Sequence, residues 1–308
     1  MANSFVLRPG DTVDVVAPGF RCTDENVELG VEFLRSLGLK PRVPAELFGE
    51  DLLCSNTDDR RFSDLRKALF ARDSRAVWCV RAGYGAIRFI ERLRKLRPPK
   101  ARKLFIGYSD ATTIHHVLNH VWRWPSIHGP LLDRLGGKPV REDELQELKA
   151  ALFGEQSTIV FSGLVPLNAA ASKKRRIHGK VFGGNLTVLQ TTLGTPLQRD
   201  HGEILFLEDI GERGYRVDRM LQHFEQAGAL RKLKAIVLGT FTGGNESDGR
   251  NLTVPVLSRF ANQVKFPVFS GMDAGHGDYQ RMVCFNTRGE LKCGAEGELA
   301  IPWPGVRR

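Results

Sequence analysis

The sequence predicts an α/β protein in two parts: a parallel sheet with covering helices, then a more compact α/β region with a mixed sheet. Three observations predict it. Short β-branched runs alternate with amphipathic helical runs through the first half. At 308 residues the chain is long for one ordinary domain. Around residues 157–177 the periodicity lapses into small, polar and basic residues before the alternation resumes. The expected division is therefore an N-terminal domain over 1–156, a linker over 157–177 and a C-terminal domain over 178–308.

The elements follow in order. TVDVVAPG is a buried strand ending in a Pro-Gly turn, and ENVELGVEFLRSLG is a helix with glycine near its end. DDRRFSDLRKALF places Phe62, Leu65 and Leu69 on one helical face. AVWCV is a strand entering the glycine turn RAGYG, and KLFIG is the strand that leads to Ser109. EDELQELKAALFG is a helix before the linker. Beyond it, RIHGKVFGGNLTVLQTTLGTP reads as strand, Gly-Gly-Asn turn and helix, and EILFLED as a strand ending in two carboxylates. GYRVDRMLQHFEQAG carries Val217, Leu221 and Phe224 at helical spacing, and KAIVLGTF is a short buried strand. FPVFSGMDAGHGDYQRMV ends the pattern with one histidine between glycines.

Bulk properties narrow the function classes. Hydrophobic residues at 42% and charged residues at 26% are those of a soluble globular chain. MANSFVLRPGD has neither a basic nor an apolar leader region, and no run approaches the ~18 apolar residues of a membrane span. A cytoplasmic protein without a membrane partner is expected. The five cysteines are scattered with no C-x-x-C pair, which suits a reducing compartment rather than zinc chemistry. Net charge is 45 − 35 = +10, but the only dense basic run is Lys173, Lys174, Arg175 and Arg176. A solvated basic surface, or a field that attracts an anionic small substrate, accounts for this better than a nucleic-acid partner.

Ser109, in FIGYSDATTIHH, is open to two readings: a nucleophile on a sharp strand-to-helix turn, or a helix cap. A nucleophile there needs small residues two before and two after it, and Gly107 and Ala111 supply them. The N–H of Asp110, at the helix start, would face a developing oxyanion, although Asp110 also simply suits the helix dipole. Gly83 in RAGYG can offer a second backbone donor. Gly183–Asn185 can do similar work in the second half, or form a tight turn with no ligand. A serine needs a base, and His276 in DAGHGD lies on a glycine loop after a buried strand. LFLEDIGE offers Glu208 and Asp209 to orient that imidazole, or to pair with Arg213 or Arg216. His115, His116 and His120 lack the glutamate and third ligand of a zinc helix, so no metal site is expected.

Together these motifs resemble the LD-carboxypeptidases of peptidoglycan recycling and the related microcin C self-immunity peptidases. The likeness covers VAPG, D-x-x-R-x-x-D-L at Asp58 to Leu65, RAGYG, FIGYSD, HGP at His128 to Pro130, GGNLTVLQTTLGTP, LFLED followed by YRVDRML, and GHG. The resemblance implies an N-terminal Rossmann-like domain with a flavodoxin- or amidotransferase-like parallel sheet, a smaller C-terminal α/β domain, and an active site between them. It implies a serine carboxypeptidase with Ser109 as nucleophile, His276 as base, Glu208 as its orienting carboxylate, and Gly83 and Asp110 as oxyanion donors. It also implies a homodimer with no cofactor, acting on a murein tetrapeptide or muropeptide. Ala82 departs from the family's usual glycine. Arg81 and Asn185 are candidate substrate-binding residues, Arg81 for a terminal carboxylate. The alternatives are a microcin-type immunity peptidase acting on a peptidyl-nucleotide and a non-catalytic ligand-binding module. The immunity reading calls for an aromatic face for adenine, which Trp122, Trp124 and Trp303 cannot be assigned from sequence.

Overall fold

The computed structural model describes residues 5–137, 140–199 and 203–305. The first four residues of MANSFVLRPGD lie outside them. The chain is α/β and forms two compact units, one holding the residues up to Ser157 together with those from Trp303, the other Thr158–Pro302.

In the first unit, strands β1 (Thr12–Val16), β2 (Lys40–Arg42), β3 (Ser74–Cys79), β4 (Leu104–Gly107) and β5 (Ser126–His128) are all parallel, in the order β5-β4-β3-β1-β2. Val13, Val15, Val77, Trp78, Phe105 and Ile106 are buried, as expected for strands covered on both faces. The helices are α1 (Asp24–Ser36), α2 (Asp58–Phe70), α3 (Ile90–Lys95), α4 (Thr112–His120), α5 (Leu132–Gly137) and α6 (Glu142–Leu152). Thr23 caps α1 by accepting from the Asn26 N–H at 3.2 Å, and Thr57 caps α2 by accepting from that of Arg60 at 3.3 Å. Lys103 closes the other end of α2: its buried Nζ donates to the Ala68 carbonyl at 2.8 Å, the Ala71 carbonyl at 2.7 Å and Ser74 Oγ at 2.6 Å. Burial pulls this ammonium down to about 8, so it remains charged at neutral pH and complements the helix C-terminus.

The second unit is a closed barrel with strand order β10-β6-β13-β12-β7-β8-β9. Its strands are β6 (Thr158–Pro166), β7 (Arg175–Asn185), β8 (Ile204–Ile210), β9 (Ala235–Thr242), β10 (Val268–Ser270), β12 (Arg288–Cys293) and β13 (Gly297–Pro302); β11 (Val283–Phe285) precedes β12. The sheet is mixed. β7, β8, β9 and β10 run parallel, whereas β6, β12 and β13 pair antiparallel. A four-residue helix, α7 (Ala169–Ser172), joins β6 to β7, and α8 (Leu186–Gln190), α9 (Gly214–Gln226) and α10 (Thr253–Gln263) follow the parallel strands. Leu186 and Leu189, then Val217, Leu221 and Phe224, and Leu257 and Phe260 cover Leu205, Leu207, Ile236 and Leu238. The spacing of Val217, Leu221 and Phe224 is that of one helical face.

Two sequence expectations need correction. Residues 157–177 are not a linker, because β6 occupies nine of them and pairs with both β13 and β10. Its alternation is hidden in sequence: Val160 and Val165 are exposed while Ile159, Phe161 and Leu164 are buried, and the pairing shifts register where Leu164 faces Gly297. Nor does the C-terminal region continue to the end of the chain as one domain. Trp303 is 1% exposed, and its indole N–H donates to the Phe5 carbonyl at 2.8 Å, within the first unit. Among the described residues no helix is long and apolar enough to cross a membrane, and no group of His, Cys, Asp and Glu is arranged to hold a metal.

Candidate active site

β4 delivers the chain to Tyr108, which is extended, and then to Ser109 at φ +61°. A left-handed serine costs about 1–2 kcal/mol, so the surrounding turn has to impose it. It does so by crowding. A Cβ on Gly107 would sit 3.1 Å from the Ala111 Cβ and 2.9 Å from Cys79 Sγ. The requirement for small residues two before and two after the serine is thus physical in this chain. Ser109 opens a 3₁₀ turn, Ser109–Ala111, that continues into α4, and no side-chain bond caps either start. The cap reading of Ser109 is therefore not what the geometry shows.

The Asp110 side chain turns away from the helix and accepts the Ala86 N–H at 2.9 Å. Burial pushes this carboxyl up to about 6, with the N–H groups of Ala86 and Gly85 pulling the other way. It ties the serine turn to RAGYG. Gly83 has φ +83°, and a Cβ there would lie 2.3 Å from the Phe20 ring. The VAPG turn locks into the same loop: the Phe20 N–H donates to the Ala82 carbonyl at 2.6 Å. Ala82 is buried and its φ is not positive, so the methyl that departs from the family pattern imposes no left-handed strain. Arg61 underpins both loops from α2. Fully buried, it donates to the Asn56 carbonyl at 2.9 Å, to the Pro18 carbonyl and to Asp58. Arg81 is half-exposed and pairs with Asp133 at 2.8 Å. Phe20 and Tyr84, both partly exposed, meet edge to face at a centroid distance of 6.4 Å.

In the second unit Glu208, on β8, is completely buried. Its Oε2 accepts from His276 Nδ1 at 2.6 Å and from the His276 backbone N–H at 3.2 Å. A carboxylate can only accept, so Nδ1 carries a proton; in the neutral imidazole the lone pair is then on Nε2, the tautomer a general base needs. Both glycines of GHG have a steric reason. A Cβ on Gly275, at φ +114°, would lie 2.7 Å from Glu208 Oε2 and 2.7 Å from Thr240 Oγ1, and one on Gly277 would lie 2.8 Å from Thr240 Cγ2. Thr242 Oγ1 also donates to the His276 carbonyl at 3.3 Å.

Strand alternation sends Asp209 to the opposite face of β8. There its Oδ1 accepts from Asn185 Nδ2 at 3.0 Å and its Oδ2 from the Thr187 N–H at 2.9 Å and Thr187 Oγ1 at 2.8 Å. Burial pushes this carboxyl up to about 6. Of the two carboxylates in LFLED, Glu208 is thus the one on the imidazole. Asn185 was singled out for substrate, but its side chain is 4% exposed and used internally, since Oδ1 caps α8 through the Val188 N–H at 3.1 Å. Sequence reasoning missed Arg61 and Thr240. Arg61 sits in the D-x-x-R motif, but an arginine on a polar helix looks solvated; nothing marks Thr240. The histidines of α4 are buried, with His116 and His120 rings 4.6 Å apart.

Two family models match: the LD-carboxypeptidase N-terminal domain over residues 13–129 and the LD-carboxypeptidase C-terminal domain over 178–291. A putative carboxypeptidase of Rickettsia conorii is 35% identical over 293 residues, covering 94% of this chain and 90% of the relative. The structure of muramoyltetrapeptide carboxypeptidase from Oxalobacter formigenes is similar with a TM-score of 0.79 and 28% identity, covering 94% of this chain and 98% of that one. The microcin C7 self immunity protein MccF shares the fold, with a TM-score of 0.81 at 18% identity and 98% coverage of each chain. The serine turn and glycine loop lie within the first matched region and the Glu208–His276 pair within the second, so the chain belongs to the LD-carboxypeptidase family.

Proposed function

We propose that this protein is a serine-type LD-carboxypeptidase that releases the terminal D-alanine from L,D-configured murein tetrapeptides, with Ser109, His276 and Glu208 as its triad. Ser109 Oγ attacks the carbonyl of the bond between the L-centre and D-alanine, and His276 Nε2 takes its proton. The N–H groups of Gly83 and Asp110 hold the tetrahedral oxyanion. His276 then protonates the departing D-alanine amine, and water hydrolyses the acyl-enzyme by the same route. Glu208 fixes the imidazole. By family resemblance the enzyme is a homodimer without a cofactor, and Arg81, already paired with Asp133, is a weak candidate for the substrate carboxylate.

The observation that carries the reading is Ser109 held at φ +61° at the end of a parallel strand. The 2.6 Å pair of His276 with Glu208 supports it, holding Nδ1 as the donor. The likeness to the Oxalobacter formigenes muramoyltetrapeptide carboxypeptidase favours the peptide substrate. Trp122, Trp124 and Trp303 are all buried and offer no face to an adenine, whereas Phe20 and Tyr84 beside the glycine turn are partly exposed. The test is release of D-alanine from an L,D-configured tetrapeptide, with Ser109→Ala as control and a processed microcin C analogue as the competing substrate. Release by wild type and not by Ser109→Ala is expected. Equal release by both overturns the nucleophile assignment, and cleavage of the analogue alone overturns the substrate.

A further inference from the structure

The α4 histidines carry no metal-site expectation, yet one of them touches the strand end that leads into the nucleophile turn. His115 lies fully buried on α4, with Nε2 2.7 Å from the Gly107 carbonyl and Nδ1 2.7 Å from Ser126 Oγ. The carbonyl can only accept, so Nε2 carries the proton and Nδ1 accepts from the Ser126 hydroxyl. Ser126 Oγ in turn accepts from Asn119 Nδ2 at 3.0 Å, and the same amide donates to the Trp124 carbonyl at 2.8 Å. Each bond fixes the direction of the next. The line runs from Asn119 through Ser126 and His115 to the carbonyl of the residue two before Ser109. Burial pulls the imidazole down to about 4, so it is neutral wherever the enzyme would work, as this pattern of donors and acceptors requires.

We infer that His115 is a positioning residue for Ser109: by donating Nε2–H to the Gly107 carbonyl it holds the strand end that forces the serine into its left-handed conformation. The Gly129 N–H also donates to this carbonyl, at a longer 3.2 Å. The Ser109 turn has no side-chain cap of its own, so its geometry depends on what grips the strand before it and the helix after it. His115 grips both, since it belongs to α4 and bonds to β4. Ser109, by contrast, would be displaced without any loss of contact to substrate-binding groups. The signature is a fall in kcat with KM unchanged.

This inference rests on Ser109 as the nucleophile, and the experiment separates the two. His115→Gln keeps an N–H donor at about the right reach, and His115→Met fills similar space without one. For each we would measure kcat and KM for D-alanine release, the rate at which a fluorophosphonate modifies Ser109, and Tm. Met is expected to lower kcat and the modification rate about tenfold, the equivalent of ~1.4 kcal/mol, with KM unchanged and Tm no lower than that of Gln; Gln keeps most of both rates. A residue that merely packs gives the reverse order, with Met the better substitute, and that result overturns the inference, as does equal loss in both. If Met does not fold, Ser126→Ala takes its place, removing the partner of Nδ1 from outside the helix; an unchanged modification rate there overturns the inference. If wild type releases no D-alanine but Ser109 is still modified, only the substrate assignment fails, and the modification rates alone decide the role of His115. If Ser109 of wild type resists modification, both fall.

Discussion

Gly275→Ala tests the catalytic pair through a single methyl group. The added Cβ would lie 2.7 Å from the Glu208 Cβ, 2.7 Å from Glu208 Oε2 and 2.7 Å from Thr240 Oγ1. Carbon–carbon contacts settle near 3.5 Å, so the loop has to retreat by roughly 0.8 Å. Glu208 cannot yield, because it is fully buried on β8 in the middle of the barrel's parallel strands. A retreat along the line of contact stretches the Nδ1–Oε2 hydrogen bond from 2.6 Å to about 3.4 Å, beyond the usual range. Losing a charge-assisted bond of roughly 1.5–3 kcal/mol predicts a kcat lower by about 10- to 150-fold. Backbone strain at φ +114° adds a separate cost in stability of about 1–3 kcal/mol. Gly271→Ala is the control. Gly271 also has a positive φ, +86°, but the nearest atom to its added Cβ is 3.8 Å away. It should lose stability and keep its turnover. The assay is D-alanine release beside a urea melt of each variant. A folded Gly275→Ala enzyme with wild-type kcat refutes the reasoning, as does a loss in Gly271→Ala of the same size.

Much of the fold is legible in the sequence because parallel strands covered on both faces read as continuous apolar runs, such as AVWCV and KLFIG. The candidate site is legible where crowding demands glycine. Gly107, Gly83 and Gly275 each admit no Cβ without a clash, and a residue type forced by sterics leaves a mark in one sequence without any comparison. What stays hidden has a partner far away in the chain. Arg61 looks like one more charge on a polar helix until its guanidinium meets the Pro18 carbonyl and Asp58. β6 hides because its exposed positions are valines and its register shifts at Leu164. Asn185 and Glu208 are register partners on adjacent strands, which suggests a shared role, yet at this strand end the Asn185 amide donates to Asp209 instead. Periodicity records that a face is buried, not what buries it.

Three further outcomes are expected. Ser109→Gly and Ser109→Ala both abolish turnover, but glycine relaxes at φ +61° and alanine does not, so urea melts should find the glycine variant more stable by about 1 kcal/mol; equal stability would mean that the turn is not strained. Asn185→Ala removes the cap of α8 and a donor to buried Asp209, and should cost about 1–3 kcal/mol in a thermal melt with any activity loss following stability; a raised KM in a fully stable variant would instead assign it to substrate. Asp110→Asn separates charge from geometry through pH. The Asp110 carboxyl titrates at about 6 in the folded chain against an ordinary value of 3.8, so between those limits the folded state holds a proton that the unfolded state has released. Its contribution to stability therefore falls as pH rises through that window, and two units correspond to roughly 3 kcal/mol at full effect. Asparagine keeps an acceptor for the Ala86 N–H and carries no charge, which removes this dependence. Denaturant melts from pH 4 to pH 7 should show the variant gaining on wild type as pH rises; a difference that stays constant across the range would mean that burial of the carboxylate costs the fold nothing.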